Sequence, residues 1–430
     1  MRKILSALLL GLTMLAGTSA LAAAPVKTWT FLIYINGNNN LDHFGKQNIK
    51  DMEKVGSNDQ VNIVVEWASL SARKTVRMLI QKSANGDVVS SPVIENLGKV
   101  DMGDYHTLQD FIAWGVKNYP AEHYFVDVWN HGSGWHALKN SRTAKNASFR
   151  SNFDISWDDN SGHSITTEQL GLTMTKAAEV IGHKVDIYAS DACLMAMGEV
   201  AAEMSDSVSF YAGSEETEPG TGWPYADLLS GWEATAKATP EQVVKILTDT
   251  YVKSYQSGSN GSDEVTFSAY DLSQLPAFHQ AMADFGTNLR LLTPVERKAV
   301  SRASSDTQRF TFSDYADLLD FVKHLAAANI KGIDTKVLAA LQATAGKLII
   351  ANAATSQFES ATGLTIWIPQ STWSYKQNSA RYKGMKFDVA THWGDTLEAL
   401  LQGASSSDPS EPGVPGEPGN DPDNDRSSKS

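Results

Sequence analysis

Short apolar runs alternate with helical patterns along the first half of this chain. The runs are rich in β-branched and aromatic residues, which predicts buried strands, and the periodicity between them predicts amphipathic helices. Such alternation is typical of a largely parallel sheet covered by helices, so we expect an α/β fold. The predicted strands are Trp29–Ile35, Val61–Trp67, Tyr124–Trp129 and Lys184–Ala189, and the predicted helices are a stretch ending near Lys54, Leu108–Asn118 and Thr167–Ile181.

The second half mixes helical and strand patterns, and we expect it to pack against the first sheet. This predicts one domain over residues 23–402, with a core at about 27–235 and a mixed helical C-terminal extension at about 236–402. Residues 403–430 hold Pro, Gly, Ser and Asp with almost no apolar side chains, which predicts a disordered tail. Further predictions are a hairpin-like insertion of Lys74–Gln81 and Pro92–Leu97, helices at Pro240–Tyr255, Gln274–Leu292 and Tyr315–Ala328, and strands at Glu264–Tyr270 and Gly363–Ile368.

The N-terminus has the pattern of a secretory signal. Arg2 and Lys3 precede an apolar run from Ile4 to Leu15, and small residues follow, with Ala22 the expected last residue of a signal peptide at 1–22. A membrane anchor is the alternative, but about a dozen apolar residues are short against the roughly 20 that span a bilayer. We therefore expect a secreted or periplasmic bacterial protein without membrane insertion after signal removal.

Charge and cysteine content narrow the function classes. The formal net charge of −13 repels phosphate backbones and anionic lipids, so nucleic acid and membrane surfaces are poor partners, whereas cationic substrates are permitted. Cys193 is the only cysteine, so no intramolecular disulfide can form. In an exported chain such a thiol is either a buried apolar group or a reactive one, and the surrounding residues indicate which interpretation applies.

Polar clusters follow two of the predicted strands. His131 comes after Tyr124–Trp129, and Cys193 comes after Lys184–Ala189. The carboxyl ends of parallel strands meet at one edge of a sheet, where sites of open α/β folds gather. Neighbouring strands would bring an imidazole and a thiol into one cleft, which is the minimal set for nucleophilic thiol catalysis.

Each of these residues can be given a chemical role. A helical pattern at Leu194–Met204 predicts that Cys193 lies at a helix N-terminus, where the dipole would lower the thiol pKa below about 8.5. His131 would transfer the proton to the leaving amine. The backbone N–H groups of Gly132 and Cys193 would stabilise the oxyanion. Neither a cofactor nor a metal is required for this chemistry.

Four segments carry a resemblance to a known family. They are WNHGSGW at 129–135, SDACLM at 190–195, SEETEPGTGW at 214–223 and YINGNNNL at 34–41. Together they resemble the clostripain family of cysteine peptidases, although Gly37 and Asn38 stand where the family often has an acidic residue. The resemblance spans roughly Trp29 to Trp223. It implies a caspase-like fold, cleavage of peptides after Arg or Lys, and a thioester acyl-enzyme intermediate.

The same resemblance assigns a substrate pocket. Asp191 would bind the basic side chain, because a carboxylate two residues from the thiol disfavours the thiolate unless a cation neutralises it. The alternative is that Asp191 caps a helix. A second acidic residue is expected to line the pocket, with Glu216 the weak first choice and Glu215 and Glu218 open as well.

A polar, aperiodic stretch at 139–164 predicts a long exposed loop. Family members are often self-cleaved at this position after a basic residue, which makes Lys145 the first candidate and Lys139, Arg142 and Arg150 the others. Alternatively these side chains are only solvated loop charges. Calcium dependence occurs in the family, but Asp154, Asp158 and Asp159 lack the spacing of a known calcium loop.

Two other functions fit the same residues. The chain could be an exported binding protein that keeps the fold without catalysis, although both the thiol and the imidazole are present. It could also be a transpeptidase, because the choice between water and an amine as acceptor depends on details of the cleft.

Overall fold

Strands and helices alternate along the chain as predicted. The computed structural model describes residues 26–136 and 154–405, without residues 85, 87 and 236 and without the side chains of residues 403–405. The strands are β1 (Lys27–Gly37), β2 (Val61–Ser69), β3 (Lys74–Leu79), β4 (Val93–Gly98), β5 (Ala121–Trp129), β6 (Ile155–Asp158), β7 (His163–Ile165), β8 (Val185–Asp191), β9 (Val208–Gly213), β10 (Gln256–Gly258), β11 (Gly261–Ser262), β12 (Thr266–Asp271), β13 (Tyr315–Asp317), β14 (Ile349–Ala354) and β15 (Thr365–Trp367). The helices are α1 (Asp42–Glu53), α2 (Tyr105–Asn118), α3 (Thr167–Ile181), α4 (Gly198–Glu203), α5 (Tyr225–Ala234), α6 (Pro240–Ser254), α7 (Leu275–Arg290), α8 (Pro294–Asp306), α9 (Leu318–Ala328), α10 (Thr335–Leu348), α11 (Thr372–Tyr382), α12 (Lys386–Thr391) and α13 (Trp393–Ser405).

A nine-stranded sheet forms the centre of the molecule, in the order β14-β12-β9-β8-β5-β1-β2-β3-β4. The five strands from β9 to β2 in this order are parallel to their neighbours. The hairpin-like insertion adds β3 and β4 in antiparallel pairing at one side. Two antiparallel strands of the C-terminal extension, β12 and β14, extend the other side, so core and extension share one sheet.

Side chains of β1 alternate between two apolar layers, because successive residues of a strand point to opposite faces. Leu32 and Tyr34 belong to the layer covered by α2 and α3. Phe31 and Ile33 belong to the layer covered by α1, α5 and α6. Both layers are buried, which explains why β1 reads as a continuous apolar run rather than as an alternating one.

Three local predictions are wrong. The helix expected at Leu194–Met204 begins only at Gly198. The helix expected from Tyr315 begins at Leu318, because Tyr315–Asp317 pairs with β15. The predicted loop at 139–164 ends early, since Ile155 is buried and begins a hairpin with β7. In each case a tertiary contact overrides the local pattern, which a single sequence does not reveal.

The Arg381 guanidinium, on α11, joins the two ends that flank residues 137–153. It donates a hydrogen bond to the Trp135 carbonyl at 2.5 Å and to Asp154 Oδ1 at 3.1 Å. It also forms an ion pair with Glu168 at 2.6 Å. A guanidinium presents its donors in a planar fork that suits such carboxylates. Segments on both sides of 137–153 are thereby fixed to one side chain of the C-terminal extension.

Several predictions concern residues outside those that the structure describes. The signal peptide, the self-cleavage candidates Lys139, Arg142, Lys145 and Arg150, and the tail beyond residue 405 are among them. Within the described ranges, no helix combines the length and apolarity needed to cross a bilayer.

Candidate active site

His131 and Cys193 lie in one cavity at the carboxyl edge of the sheet. Their strands, β5 and β8, are neighbours in parallel register, with Trp129 opposite Asp191. The cavity has a volume of about 250 Å³. Its lining consists of Leu41, Trp129, Asn130, His131, Asp191, Ala192, Cys193, Thr217, Glu218, Pro219, Gly220 and Gly222.

Cys193 sits in a tight turn rather than at a helix N-terminus. The next residue, Leu194, has φ of 64°, a left-handed conformation that is uncommon for a side chain of this size. The sulfur accepts a hydrogen bond from the Glu218 N–H at 3.2 Å. Burial raises the pKa of the thiol to about 11, whereas the backbone N–H of Glu218 lowers it. The expected low thiol pKa is therefore wrong for the free site, because no helix begins at the sulfur.

His131 is held by an asparagine that sequence reasoning did not select. Its Nε2 lies 2.8 Å from Asn40 Oδ1. An amide oxygen only accepts, so this contact places the proton of the neutral ring on Nε2 and the basic lone pair on Nδ1. Burial lowers the pKa of His131 to about 4, while the charge of Asp159 raises it. Thiol and imidazole are thus both neutral near pH 7.

Gly132 packs directly against the turn that carries the thiol. A Cβ at this position would lie 2.4 Å from the Cys193 carbonyl oxygen, so a side chain does not fit. The Gly132 N–H and the Cys193 N–H both donate toward the sulfur and lower its pKa. Both N–H groups predicted for the oxyanion therefore converge on the Cys193 sulfur. The Glu218 N–H is a third donor there.

Asp191 ends β8 and points into the protein beneath the cavity. Its Oδ2 accepts hydrogen bonds from the Trp223 N–H at 3.1 Å and the Tyr225 hydroxyl at 2.9 Å. These partners come from a different segment, so the alternative role as a helix cap is wrong. Burial raises the pKa of the Asp191 carboxyl to about 6, although these hydrogen bonds lower it.

Two further carboxyl groups surround Asp191. The same Tyr225 hydroxyl lies 2.8 Å from Asp127 Oδ2, so the two carboxyls share its single proton, and Asp127 Oδ1 accepts from the Asp191 N–H at 3.2 Å. Glu218 lies against Asp191, and neither of its buried carboxyl oxygens accepts an N–H or hydroxyl from the described residues. Burial raises the pKa of both Asp127 and Glu218 well above the usual range, and the charge of Asp191 adds to this.

Glu215 and Glu216 turn away from the cavity. Glu215 accepts hydrogen bonds from the Gly363 N–H and the Thr365 hydroxyl, both at 3.0 Å. Glu216 accepts from the Thr311 N–H at 2.9 Å and from the Thr311 hydroxyl. The structure therefore does not bring the first choice, Glu216, to the cavity, whereas Glu218 lines it.

Comparison with known proteins fits this geometry. A profile of the clostripain family matches residues 33–399. The chain belongs to the clostripain family of cysteine peptidases. Clostripain of Hathewaya histolytica is 35% identical over 105 residues, which is 24% of this chain and 18% of that protein. This chain thus matches less than a fifth of the curated relative.

Two solved structures share the fold of this clostripain-family chain. A secreted C11 cysteine protease from Bacteroides thetaiotaomicron, solved with an irreversible peptide inhibitor, has a TM-score of 0.64 at 19% identity, covering 85% of this chain and 99% of the other. An inactive zymogen C11 protease from Parabacteroides distasonis has a TM-score of 0.63 at 21% identity, covering 86% and 99%. The caspase-like α/β fold class is thereby confirmed.

The three acidic residues considered for calcium are held by protein donors in this clostripain-family chain. Asp154 binds Arg381, and Asp158 Oδ2 accepts from the Asn38 amide at 2.8 Å. Asp159 Oδ1 accepts from the Trp157 indole at 2.6 Å. The described part of the chain contains no group of three or more metal-binding side chains.

Proposed function

We propose that this protein is an exported cysteine endopeptidase that cleaves peptide bonds after Arg or Lys. One observation carries the specificity: the buried carboxyl oxygens of Asp191 and Glu218 border the cavity that contains the Cys193 sulfur. No Lys or Arg belongs to the described lining of this cavity. A peptide with a basic side chain would supply the missing positive charge.

Because the Cys193 thiol and the His131 imidazole are both neutral in the free site, the thiolate forms only as the substrate is attacked. As the Cys193 sulfur attacks the peptide carbonyl carbon, its proton passes to the basic nitrogen of His131. The resulting oxyanion accepts the N–H groups of Gly132 and Cys193. Collapse breaks the C–N bond, the leaving amine takes the proton from His131, and a thioester remains. Water, deprotonated by His131, then hydrolyses the thioester and restores the thiol.

The energetics of the pocket favour a cation over a neutral side chain. Asp191 and Glu218 lie side by side, and ionising both without a counter-charge is costly in a buried site. A guanidinium or ammonium group would form charge-assisted hydrogen bonds with them, which are stronger than neutral ones. Binding of Arg or Lys therefore removes the cost of ionising these carboxyls without a counter-charge, whereas binding of a neutral side chain does not.

Export and self-processing complete the proposal. The signal pattern at 1–22 supports a secreted or periplasmic location, and self-cleavage in the 139–164 loop remains a prediction with Lys145 as first candidate. Trp135 and Asp154, which flank residues 137–153, are both held by Arg381. Calcium dependence stays open as a proposal without a recognisable site.

Covalent labelling tests nucleophile and specificity together. We expect an irreversible thiol-directed peptide reagent with Arg at its reactive end to modify Cys193, identified by mass mapping, and to react much faster than the matched norleucine reagent. Cys193→Ala should abolish both labelling and peptide hydrolysis. Labelling elsewhere, or equal rates for the two reagents, would contradict the proposal.

A further inference from the structure

A second cavity lies on the same carboxyl edge of the sheet, beyond the strands next to His131. Its volume is about 500 Å³. It lies outside the pocket that contains the thiol, because the two linings have no residue in common. We call it the basic pocket; its lining is Asn38, Leu70, Arg73, Lys74, Thr75, Lys99, Val100 and Asn160.

Three cations border the basic pocket in a protein of net charge −13. The side chains of Arg73, Lys74 and Lys99 are exposed. None forms an ion pair within 4.0 Å or donates a hydrogen bond to a described residue, unlike paired cations elsewhere such as Lys54 and Lys245. The basic pocket therefore has three charges that the described fold does not use.

Two carboxylates near the basic pocket accept hydrogen bonds from protein donors. Asp158 accepts from the Asn38 amide at 2.8 Å and from the Met102 N–H at 3.0 Å. Asp42 Oδ2 accepts from the Ser71 N–H at 2.9 Å. These contacts also fix the walls, because they tie the 38–40 segment and the turn after β2 to their neighbours. An incoming anion would meet a preformed basic surface.

The order of the strands places the basic pocket on the leaving-group side of the cleaved bond. From Cys193 on β8 the sheet runs through β5, which carries His131, to β1 and then β2. His131 protonates the leaving amine, so the chain that departs with it extends past His131 and away from Cys193. It therefore passes Asn40, the partner of His131, toward Asn38 and the turn after β2.

Distances along this path fit a short peptide. Neighbouring strands are about 4.8 Å apart, so two strands beyond His131 correspond to about 10 Å, and an extended peptide covers this in about three residues. Building on the proposed peptidase function, we propose that the basic pocket binds acidic side chains located two to four residues beyond the cleaved bond. The preferred substrates then carry Arg or Lys before the bond and Asp or Glu after it.

Paired internally quenched peptides test this site. Both contain the same Arg before the cleaved bond, and positions two to four after it are Glu in one and Gln in the other. We expect kcat/KM to be about three- to tenfold higher for the Glu peptide, as exposed charge pairs each contribute modestly. Raising the ionic strength should reduce this preference. Combined Arg73→Gln, Lys74→Gln and Lys99→Gln should abolish it.

A matched variant and a truncated substrate complete the design. Lys298→Gln, Arg302→Gln and Lys336→Gln remove the same charges from exposed positions on α8 and α10, and should leave the Glu preference intact. An Arg aminocoumarin amide, which has no residues after the bond, should be cleaved equally by all variants.

The outcomes separate the two proposals. A wild-type enzyme without activity on the aminocoumarin amide would contradict the proposed peptidase specificity. An active enzyme that cleaves Glu and Gln peptides equally, or whose preference survives loss of the three cations, would overturn only the basic pocket.

Discussion

Glu215 and Glu218 lie three residues apart in one segment. Both have a buried carboxyl group with a raised pKa, yet their surroundings differ. Glu215 accepts hydrogen bonds from Gly363 and Thr365, which connects the segment to the C-terminal extension. Glu218 accepts no N–H or hydroxyl donor from the described residues and faces the cavity beside the thiol. Burial and a raised pKa alone therefore do not distinguish an acid that lines the cavity from one that holds two segments together. The position of the carboxyl relative to the cavity does.

Asp191→Asn gives the largest expected effect. The amide oxygen can still accept from Trp223 and Tyr225, but the charge opposite the basic side chain is lost. Removing one partner of a buried charge pair costs about 3 kcal/mol, so kcat/KM for an Arg substrate should fall about 100-fold or more. Steady-state kinetics on matched Arg and norleucine peptides provides the measurement.

The control for this prediction is Glu215→Gln. It removes an equally buried carboxyl from the same region, and should lower the free energy of unfolding by about 1–3 kcal/mol while leaving the ratio of Arg to norleucine cleavage unchanged. A changed ratio in Glu215→Gln, or an unchanged one in Asp191→Asn, would break the distinction between the two kinds of acid.

Glu218→Gln has a smaller expected effect because Asp191 remains to bind the cation. We expect kcat/KM for Arg substrates to fall about tenfold, with folding stability equal to or above that of the wild type. The stability follows because a buried carboxyl without protein donors contributes little to the folded state. Kinetics and thermal unfolding of the same preparations measure both. A marked loss of stability in Glu218→Gln would show that Glu218 stabilises the fold as Glu215 does.

The smallest expected change is in the pH dependence of cleavage after Arg. Because burial raises the pKa of Asp191 to about 6, this carboxyl is protonated below that pH and no longer attracts a cation. Cleavage after Arg should therefore fall about tenfold between pH 7 and pH 5, whereas cleavage after norleucine should change less. His131, with a pKa lowered to about 4, remains neutral over this range. Parallel profiles for the two substrates would exclude Asp191 as the titrating group.

Prediction from the sequence succeeded for features that are set by residues close together in the chain. The sequence pattern located eight of the strands, β1 to β5, β8, β12 and β15, and the order of polar clusters after strands placed His131 and Cys193 in one cleft. Which of Glu215, Glu216 and Glu218 lines the cavity could not be predicted, because it depends on donors more than 90 residues away, such as Thr311 and Gly363.

The thiol pKa was mispredicted for a related reason. A helical pattern after Cys193 cannot reveal that Leu194 adopts a positive φ and that the helix starts four residues later. Asn40 was overlooked because an amide next to a histidine in space leaves no signature in linear spacing. It lies 91 residues before His131 in the chain.

The Arg381 contacts would hold the two pieces of the chain together after a cut within residues 137–153. A cut within residues 137–153 would leave His131 on one polypeptide and Cys193 on another, while the parallel pairing of β5 with β8 and the bonds from Arg381 to Trp135 and Asp154 remain. The product would run as two bands under denaturing conditions and as one particle in native buffer. His131 and Cys193 would then belong to a complex of two subunits that originate from a single gene product.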